Sequence, residues 1–236
     1  MKIKALTFDV FGTVADWRTT LIREAAALGK KRSIEANWVS FADTWRAQYE
    51  PSMHRVRTGE LPWTNLDGLH HMIMEDLLEK FQISGLQEAD KTYLTQVWHR
   101  LDLWPDVLAG MDALRRQFTV AALSNGNVAI LTNIAKNADL RWDCILSAEL
   151  ARHYKPDPEV YLTAATHLGL PPEEIMMVAA HNNDLQAARA VGFKTAFVYR
   201  TTEYGPNQQQ DLEPDPYCDF VAIDFIDLAS QLFRQG

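Results

Sequence analysis

The sequence predicts an α/β fold: a doubly wound parallel sheet with an inserted α-helical cap. Three observations predict it. From about residue 100 onward, short apolar runs alternate with helix-length segments, the pattern of a parallel sheet with helices on both faces. One further strand-like run, Lys4 to Val10, stands alone near the start and ends at Gly12. Between them, from about Trp17 to Leu101, apolar residues recur at three- and four-residue spacing, the period of a helix.

The elements follow in order. Lys4 to Val10 is short and continuously apolar, and reads as a buried strand. Trp38 to Trp45 and Leu69 to Phe81 carry helical spacing, and Thr58-Gly59-Glu60-Leu61-Pro62 interrupts it. After Trp104-Pro105 the alternation becomes regular. Val107 to Arg116 reads as helix, Phe118 to Leu123 as strand, Val128 to Asn137 as helix and Cys144 to Ser147 as a short strand. Glu159 to Leu168 then reads as helix, Ile175 to Ala180 as strand, Leu185 to Val191 as helix and Thr195 to Tyr199 as strand. Gly205 to Pro216, rich in glutamine and proline, reads as a polar surface loop, and Phe220 to Ile223 as a last strand before a C-terminal helix. Residues 1–15 and 100–236 are therefore expected to form the core, and 16–99 a cap over the carboxyl ends of the strands. Ligands of open parallel sheets bind at those ends.

Composition narrows the function classes. The chain has 236 residues, 47% hydrophobic and 23% charged, ordinary values for a protein with a sizeable core. A formal net charge of −8 argues against a nucleic-acid binder, which needs a basic face, but leaves room for a small anionic substrate met by a buried cation. Cys144 and Cys218 lie in apolar, strand-like segments and read as inert core thiols, with no Cys or His spacing that suggests a metal. The N-terminus opens directly into a strand without a signal-peptide shape, and no apolar run is long enough to span a bilayer. A cytoplasmic protein without membrane contact is expected.

Polar clusters stand at successive strand ends. Asp9, in Phe8-Asp9-Val10-Phe11-Gly12-Thr13-Val14, ends the first strand before a glycine turn. A carboxylate there can serve as a covalent nucleophile, or simply close the turn. The second core strand ends in Ser124-Asn125-Gly126, a later loop holds Tyr154-Lys155-Pro156-Asp157, and the fourth strand ends in Ala179-Ala180-His181-Asn182-Asn183-Asp184. Asn125 alone could be a turn signal and Lys155 a solvated charge. Their joint occurrence on one sheet edge is better explained by an active site.

The order Phe-Asp-x-x-Gly-Thr, Ser-Asn-Gly, Lys-Pro-Asp and a final Asp resembles the haloacid dehalogenase superfamily over nearly the whole chain. The resemblance implies a Rossmann-like core with a mobile cap and Asp9 as nucleophile. Most of that superfamily are magnesium-dependent phosphotransferases, whose first motif carries a second Asp as general acid. Here that place is Phe11, and the last motif holds the single acid Asp184, so no metal and no cofactor are expected. An aromatic in the first motif together with Ser124 and Asn125 resembles the L-2-haloacid dehalogenases. Trp45-Arg46 lies where those enzymes carry a halide-binding Arg, although a surface helix Arg would look the same in isolation. Trp63 is a candidate pocket wall, with packing inside the cap the competing reading. The resembling last motif reads Ser-Ser-Asn-x-x-Asp, so Ala179 and His181 are departures.

The resemblance implies a hydrolase acting on carbon–halide bonds of small 2-haloacids. Asp9 attacks C2; Arg46 and Asn125 meet the departing halide; Ser124 holds the substrate carboxylate; Lys155 keeps Asp9 ionised; Thr13 orients it. Water then cleaves the Asp9 ester, with Asp184 the family-like helper; His181 is either a second candidate base, oriented by Asp184, or a neutral hydrogen-bonding substitute for the Asn of the resembling motif. Homodimers are common in the resembling group, but no interface is legible in the sequence. The rivals are a magnesium-dependent phosphatase acting on a small phosphorylated metabolite and a non-catalytic anion-binding module.

Overall fold

The computed structural model describes residues 3–234. Six strands, β1 (Ala5–Phe8), β4 (Thr119–Ser124), β5 (Cys144–Ser147), β6 (Ile175–Ala179), β7 (Lys194–Val198) and β8 (Phe220–Ala222), form one sheet in the order β5-β4-β1-β6-β7-β8. Every pairing in it is parallel. The chain winds outward from β1 in both directions, so the crevice at the strands' carboxyl ends opens beside β1. This central strand reads Ala-Leu-Thr-Phe without alternation because helices cover both faces, and all four residues are buried. Phe8 pairs with Ala122 on one side and Val178 on the other, so a large side chain sits between smaller ones. Its ring meets Phe225 edge-on at 5.2 Å. Phe225 opens the last helix, α11 (Phe225–Arg234), which buries Phe225, Leu228, Ala229 and Leu232, one helical face, against α6 (Val107–Leu114).

The helical stretch contains α1 (Trp17–Arg32), α2 (Trp38–Ala47), α3 (Tyr49–Arg57), α4 (Leu66–Lys80), α5 (Glu88–Thr95) and a 3₁₀ turn (Gln96–His99). Its starts follow local chemistry. Asp16, Asn37 and Asn65 each accept the backbone N–H three residues on, capping α1, α2 and α4. Two short strands were not foreseen. β2 (Ala15–Asp16) and β3 (Asp102–Leu103) pair antiparallel, so the chain leaves and re-enters the sheet domain through one two-stranded neck. An aromatic cluster fills the inserted stretch. The Trp45 indole N–H donates to His70 Nδ1 at 3.0 Å, and His70 stacks on Trp98 with ring centroids 4.2 Å apart. Phe11, from the turn after β1, meets Trp98 edge-on at 5.5 Å and so ties that turn to the helices above it.

The second half of the core adds α7 (Val128–Asn137), α8 (Ala148–Ala151), α9 (Pro158–Leu168) and α10 (Asn182–Ala190). Polar clamps join the two parts. Arg57 of α3 places two nitrogens on Asp157 Oδ1, and Asp67 of α4 accepts from the Asn127 amide at 2.8 Å. Cys218 lies in a turn rather than a strand, and both thiols are unpaired and half-buried rather than core. No described helix is long and apolar enough to cross a membrane.

Candidate active site

Asp9 follows β1 and is held at the crevice by its own N–H, which donates to Val178 O at 3.0 Å. The turn after it is tight: Val14 and Ala15 N–H both reach back to Val10 O, and Gly12 adopts φ +87°. A side chain on Gly12 would be strained by that φ and would also strike Glu203, whose Oε1 lies 2.1 Å from where a Cβ would stand. Trp104 fixes the Gly12 carbonyl at 2.7 Å. Arg200, buried and bidentate on Asp106, fixes the Thr13 carbonyl at 2.8 Å. The turn that presents Asp9 is thus braced from both sides.

The Asp9 carboxylate accepts three side-chain donors. Thr13 Oγ1 reaches Oδ2 at 2.9 Å, His181 Nδ1 reaches the same oxygen at 3.0 Å, and Lys155 Nζ reaches Oδ1 at 3.2 Å. Burial alone would raise its pKa, but the Lys155 charge and the His181 and Thr13 hydrogen bonds outweigh burial and hold it well below the carboxylate range. These partners favour the ionised form of Asp9. Lys155 also donates to Asp184 Oδ2 at 2.5 Å, while Tyr161 donates to Asp184 Oδ1 at 2.6 Å. Burial, with Asp9 nearby, pushes Asp184 up against the opposing pull of Lys155.

A cavity of about 870 Å³ opens over this group. Asp9, Phe11, Asn125, Lys155, His181 and Asp184 line it from the core, and Arg46 and Tyr49 from the helices above. Asn125 is placed by its carbonyl, which accepts Lys155 N–H at 2.7 Å. The Arg46 guanidinium lies over the Tyr49 ring, 4.2 Å from its centroid, and its buried Nε has no partner among the described residues.

His181 departs most from its expected setting. Asp184 does not orient it, because that carboxylate is taken by Lys155 and Tyr161. Its Nδ1 faces Asp9 and its Nε2 faces Glu203 Oε2 at 2.9 Å. Burial disfavours its charge, but the two carboxylates raise its pKa well above the ordinary value. As a cation it has no lone pair to take a proton, which counts against a base role.

Two other expected residues lie elsewhere. Ser124 is fully buried, does not line the cavity and uses Oγ to accept Gly126 N–H at 3.2 Å, so it shapes a turn. Trp63 does not line the cavity either; its ring packs on Tyr154, with centroids 5.0 Å apart.

Several site residues were not anticipated. Glu203 is 1% exposed and takes Trp17 Nε1 at 2.9 Å as well as His181. It lies just after β7 in no motif, and an ionisable ring at His181 is the only hint that a counter-ion must arrive from elsewhere. Tyr161 reads as a core aromatic on an amphipathic helix. The segment read as a surface loop instead borders the cavity through Gln210 and Asp211, and Asp211 caps α10 by accepting Asn182 N–H at 2.9 Å. The one cluster of ligand-type side chains among the described residues, His153, Asp157 and Glu159, lies outside this site.

Comparison with known proteins matches this arrangement. Residues 3–192 fit the family model of haloacid dehalogenase-like hydrolases. A crystal structure of an L-2-haloacid dehalogenase superposes with a TM-score of 0.93 at 50% identity, covering 98% of this chain and 99% of its own. A defluorinating L-2-haloacid dehalogenase superposes at 0.92 with 42% identity, covering 98% of this chain and 95% of its own. Among sequence relatives, (S)-2-haloacid dehalogenase 1 of Pseudomonas sp. (strain CBS-3) is 28% identical over 217 residues, 84% of this chain and 85% of the relative. The chain belongs to the haloacid dehalogenase-like hydrolases and, within them, to the L-2-haloacid dehalogenase group.

Proposed function

We propose that the chain hydrolyses short (S)-2-haloalkanoic acids, such as haloacetates and 2-halopropionates, to 2-hydroxy acids through an ester on Asp9, without a metal. The observation that carries this reading is the Asp9 carboxylate lining the cavity, held by Lys155, His181 and Thr13, with Phe11, rather than a second acid, two residues on. A phosphotransferase needs a proton donor for its alkoxide leaving group, and a halide needs none. Asp184, the acid of the last motif, is engaged by Lys155 and Tyr161. The names of the similar proteins supply the substrate class.

The chemistry follows from the geometry. An Asp9 oxygen attacks C2 in line with the departing halide. Arg46, from the helical segment proposed as the cap (16–99), and Asn125 meet the halide as its charge develops. Lys155 keeps the nucleophile ionised, Thr13 holds its orientation, and Asp184 assists the water that cleaves the ester. The unpaired thiols Cys144 and Cys218 fit a cytoplasmic, reducing compartment. The test is chloride release from (S)-2-chloropropionate after exhaustive EDTA treatment, with D-lactate as product because C2 is displaced once. Strict dependence on added magnesium, with phosphate-ester hydrolysis, would replace this reading with the phosphatase one.

A further inference from the structure

The two oxygens of Asp9 are held unequally. Oδ2 accepts from both Thr13 and His181, whereas, among the described residues, Oδ1 accepts from Lys155 alone, at the longer distance of 3.2 Å. The less occupied Oδ1 keeps a lone pair for attack on carbon. In the resulting ester Oδ1 joins Cγ to C2, and Oδ2 becomes the carbonyl oxygen with two donors already in place. The second observation concerns His181. Both ring nitrogens lie within hydrogen-bond distance of carboxylate oxygens, Nδ1 at 3.0 Å from Asp9 and Nε2 at 2.9 Å from Glu203. Carboxylates only accept, so both contacts are satisfied when both nitrogens carry hydrogen. Glu203 is locked in turn by Trp17 Nε1 at 2.9 Å.

We propose that His181 and Thr13 form the oxyanion site for hydrolysis of the Asp9 ester, with Glu203 the positioning residue that keeps His181 a donor on both nitrogens. This rests on the aspartyl-ester reading above. In the step, the water oxygen bonds to Cγ and the carbonyl π pair moves onto Oδ2, where His181 and Thr13 receive the charge. One water proton passes to Asp184. As the carbonyl re-forms, the Cγ–Oδ1 bond breaks, and Oδ1 leaves on C2 and takes that proton as the product hydroxyl. The other water proton is lost to solvent from the regenerated Asp9, balancing the released halide.

The charge logic gives the two half-reactions opposite signs. Ester formation removes the Asp9 charge, so a neighbouring cation opposes it. Ester hydrolysis places charge on Oδ2, so the same cation assists it. The groups facing His181 are Asp9 after β1, Glu203 and Tyr204 after β7, and Arg46 of α2 beyond Glu203; Lys155 and Asp184 stand behind Asp9. A base and an oxyanion donor predict opposite pH limbs. A base works once His181 is neutral, so hydrolysis would quicken as pH rises through its ionisation. A cationic donor is lost there, so hydrolysis slows.

The experiment is a quenched single turnover of (S)-2-chloropropionate from neutral to alkaline pH, with the Asp9 adduct followed by mass spectrometry. Ester hydrolysis should slow with rising pH, and Glu203→Gln should move that fall to lower pH. His181→Ala should slow hydrolysis by about 10²–10³-fold, the worth of an oxyanion donor, while ester formation, relieved of an opposing cation, is not slowed, so that adduct accumulates. Imidazole NMR of the wild-type enzyme provides a reading that needs no variant to fold: His181 should be charged at neutral pH. A neutral ring, or hydrolysis that quickens through the same ionisation, overturns the oxyanion assignment. Normal adduct formation with hydrolysis unmoved by either variant overturns it alone. No adduct and no halide from the wild-type enzyme overturns the ester reading beneath it.

Discussion

Gly12→Ala isolates the packing on which the site depends. Gly12 has φ +87°, and a Cβ there would meet Glu203 Oε1 at 2.1 Å. Two costs add. A left-handed conformation costs a residue with a Cβ roughly 1–2 kcal/mol. Forcing a methyl into a filled site costs about 1–3 kcal/mol more. The sum, roughly 2–5 kcal/mol, lowers Tm by roughly 4–20 °C in a domain of this size. Gly169 serves as the control, because it has φ +65° and, its chain neighbours aside, no described residue lies within 4 Å of its added Cβ. Gly169→Ala should show the conformational cost alone, roughly 2–8 °C. Scanning calorimetry measures both, and the cycle with Glu203→Ala separates the clash, since Gly12→Ala should cost less once the carboxylate is gone. Gly12→Ala should also slow ester hydrolysis by displacing Glu203. Equal costs at Gly12 and Gly169, or no coupling to Glu203, would refute the reasoning.

Two further outcomes are expected. Arg46→Met removes a charge-assisted contact to the leaving halide; such contacts are worth about 1.5–3 kcal/mol. Ester formation should therefore slow by roughly 10- to 150-fold with ester hydrolysis little changed, and rapid-quench kinetics showing the loss in hydrolysis would contradict the assignment. His70 supplies a pH test of stability. Burial, the largest influence, lowers its pKa to about 3 in the folded protein, from 6.5. The unfolded chain therefore takes up this proton first. The stability held above pH 6.5 is lost as pH falls toward 3, by up to about 1.4 kcal/mol per pH unit. Urea unfolding of His70→Gln, compared with wild type, should show a flatter acid limb, and parallel limbs would contradict it.

Legibility followed the length scale of the signal. Val128–Asn137 and Cys144–Ser147 are bounded as their patterns indicate, the first because its apolar residues keep helical spacing throughout, the second because it is a short apolar run between Asp143 and Ser147. β2 and β3, of two residues each, are too short for any period to show. At the site, Asp9, Lys155 and Asp184 are visible as charged residues at strand ends and loops, and they meet through Lys155 Nζ. The residues whose settings differ from expectation are those whose side chains meet a partner that the local pattern does not show. Ser124 turned inward to its own turn, Trp63 found Tyr154, and His181 found Glu203, 22 residues away, instead of Asp184 on its own helix. Tyr161 was hidden because an aromatic at a buried position of α9 suits packing as well as it suits a hydrogen bond to Asp184. Periodicity reports which face of an element is buried; it does not report what the tip of a side chain meets there.

The central claim is that Asp9 becomes covalently bound to C2 and that solvent then attacks its carbonyl. One turnover of excess enzyme with (S)-2-chloropropionate in heavy-oxygen water tests both halves at once. The product hydroxyl should carry ordinary oxygen, taken from Asp9 Oδ1, and peptide mass analysis should find the heavy label in the Asp9 carboxylate. Asp9→Asn, still folded, should release no chloride. Heavy oxygen in the product of that first turnover, with none on Asp9, would mean that water displaces the halide directly, and would contradict the claim.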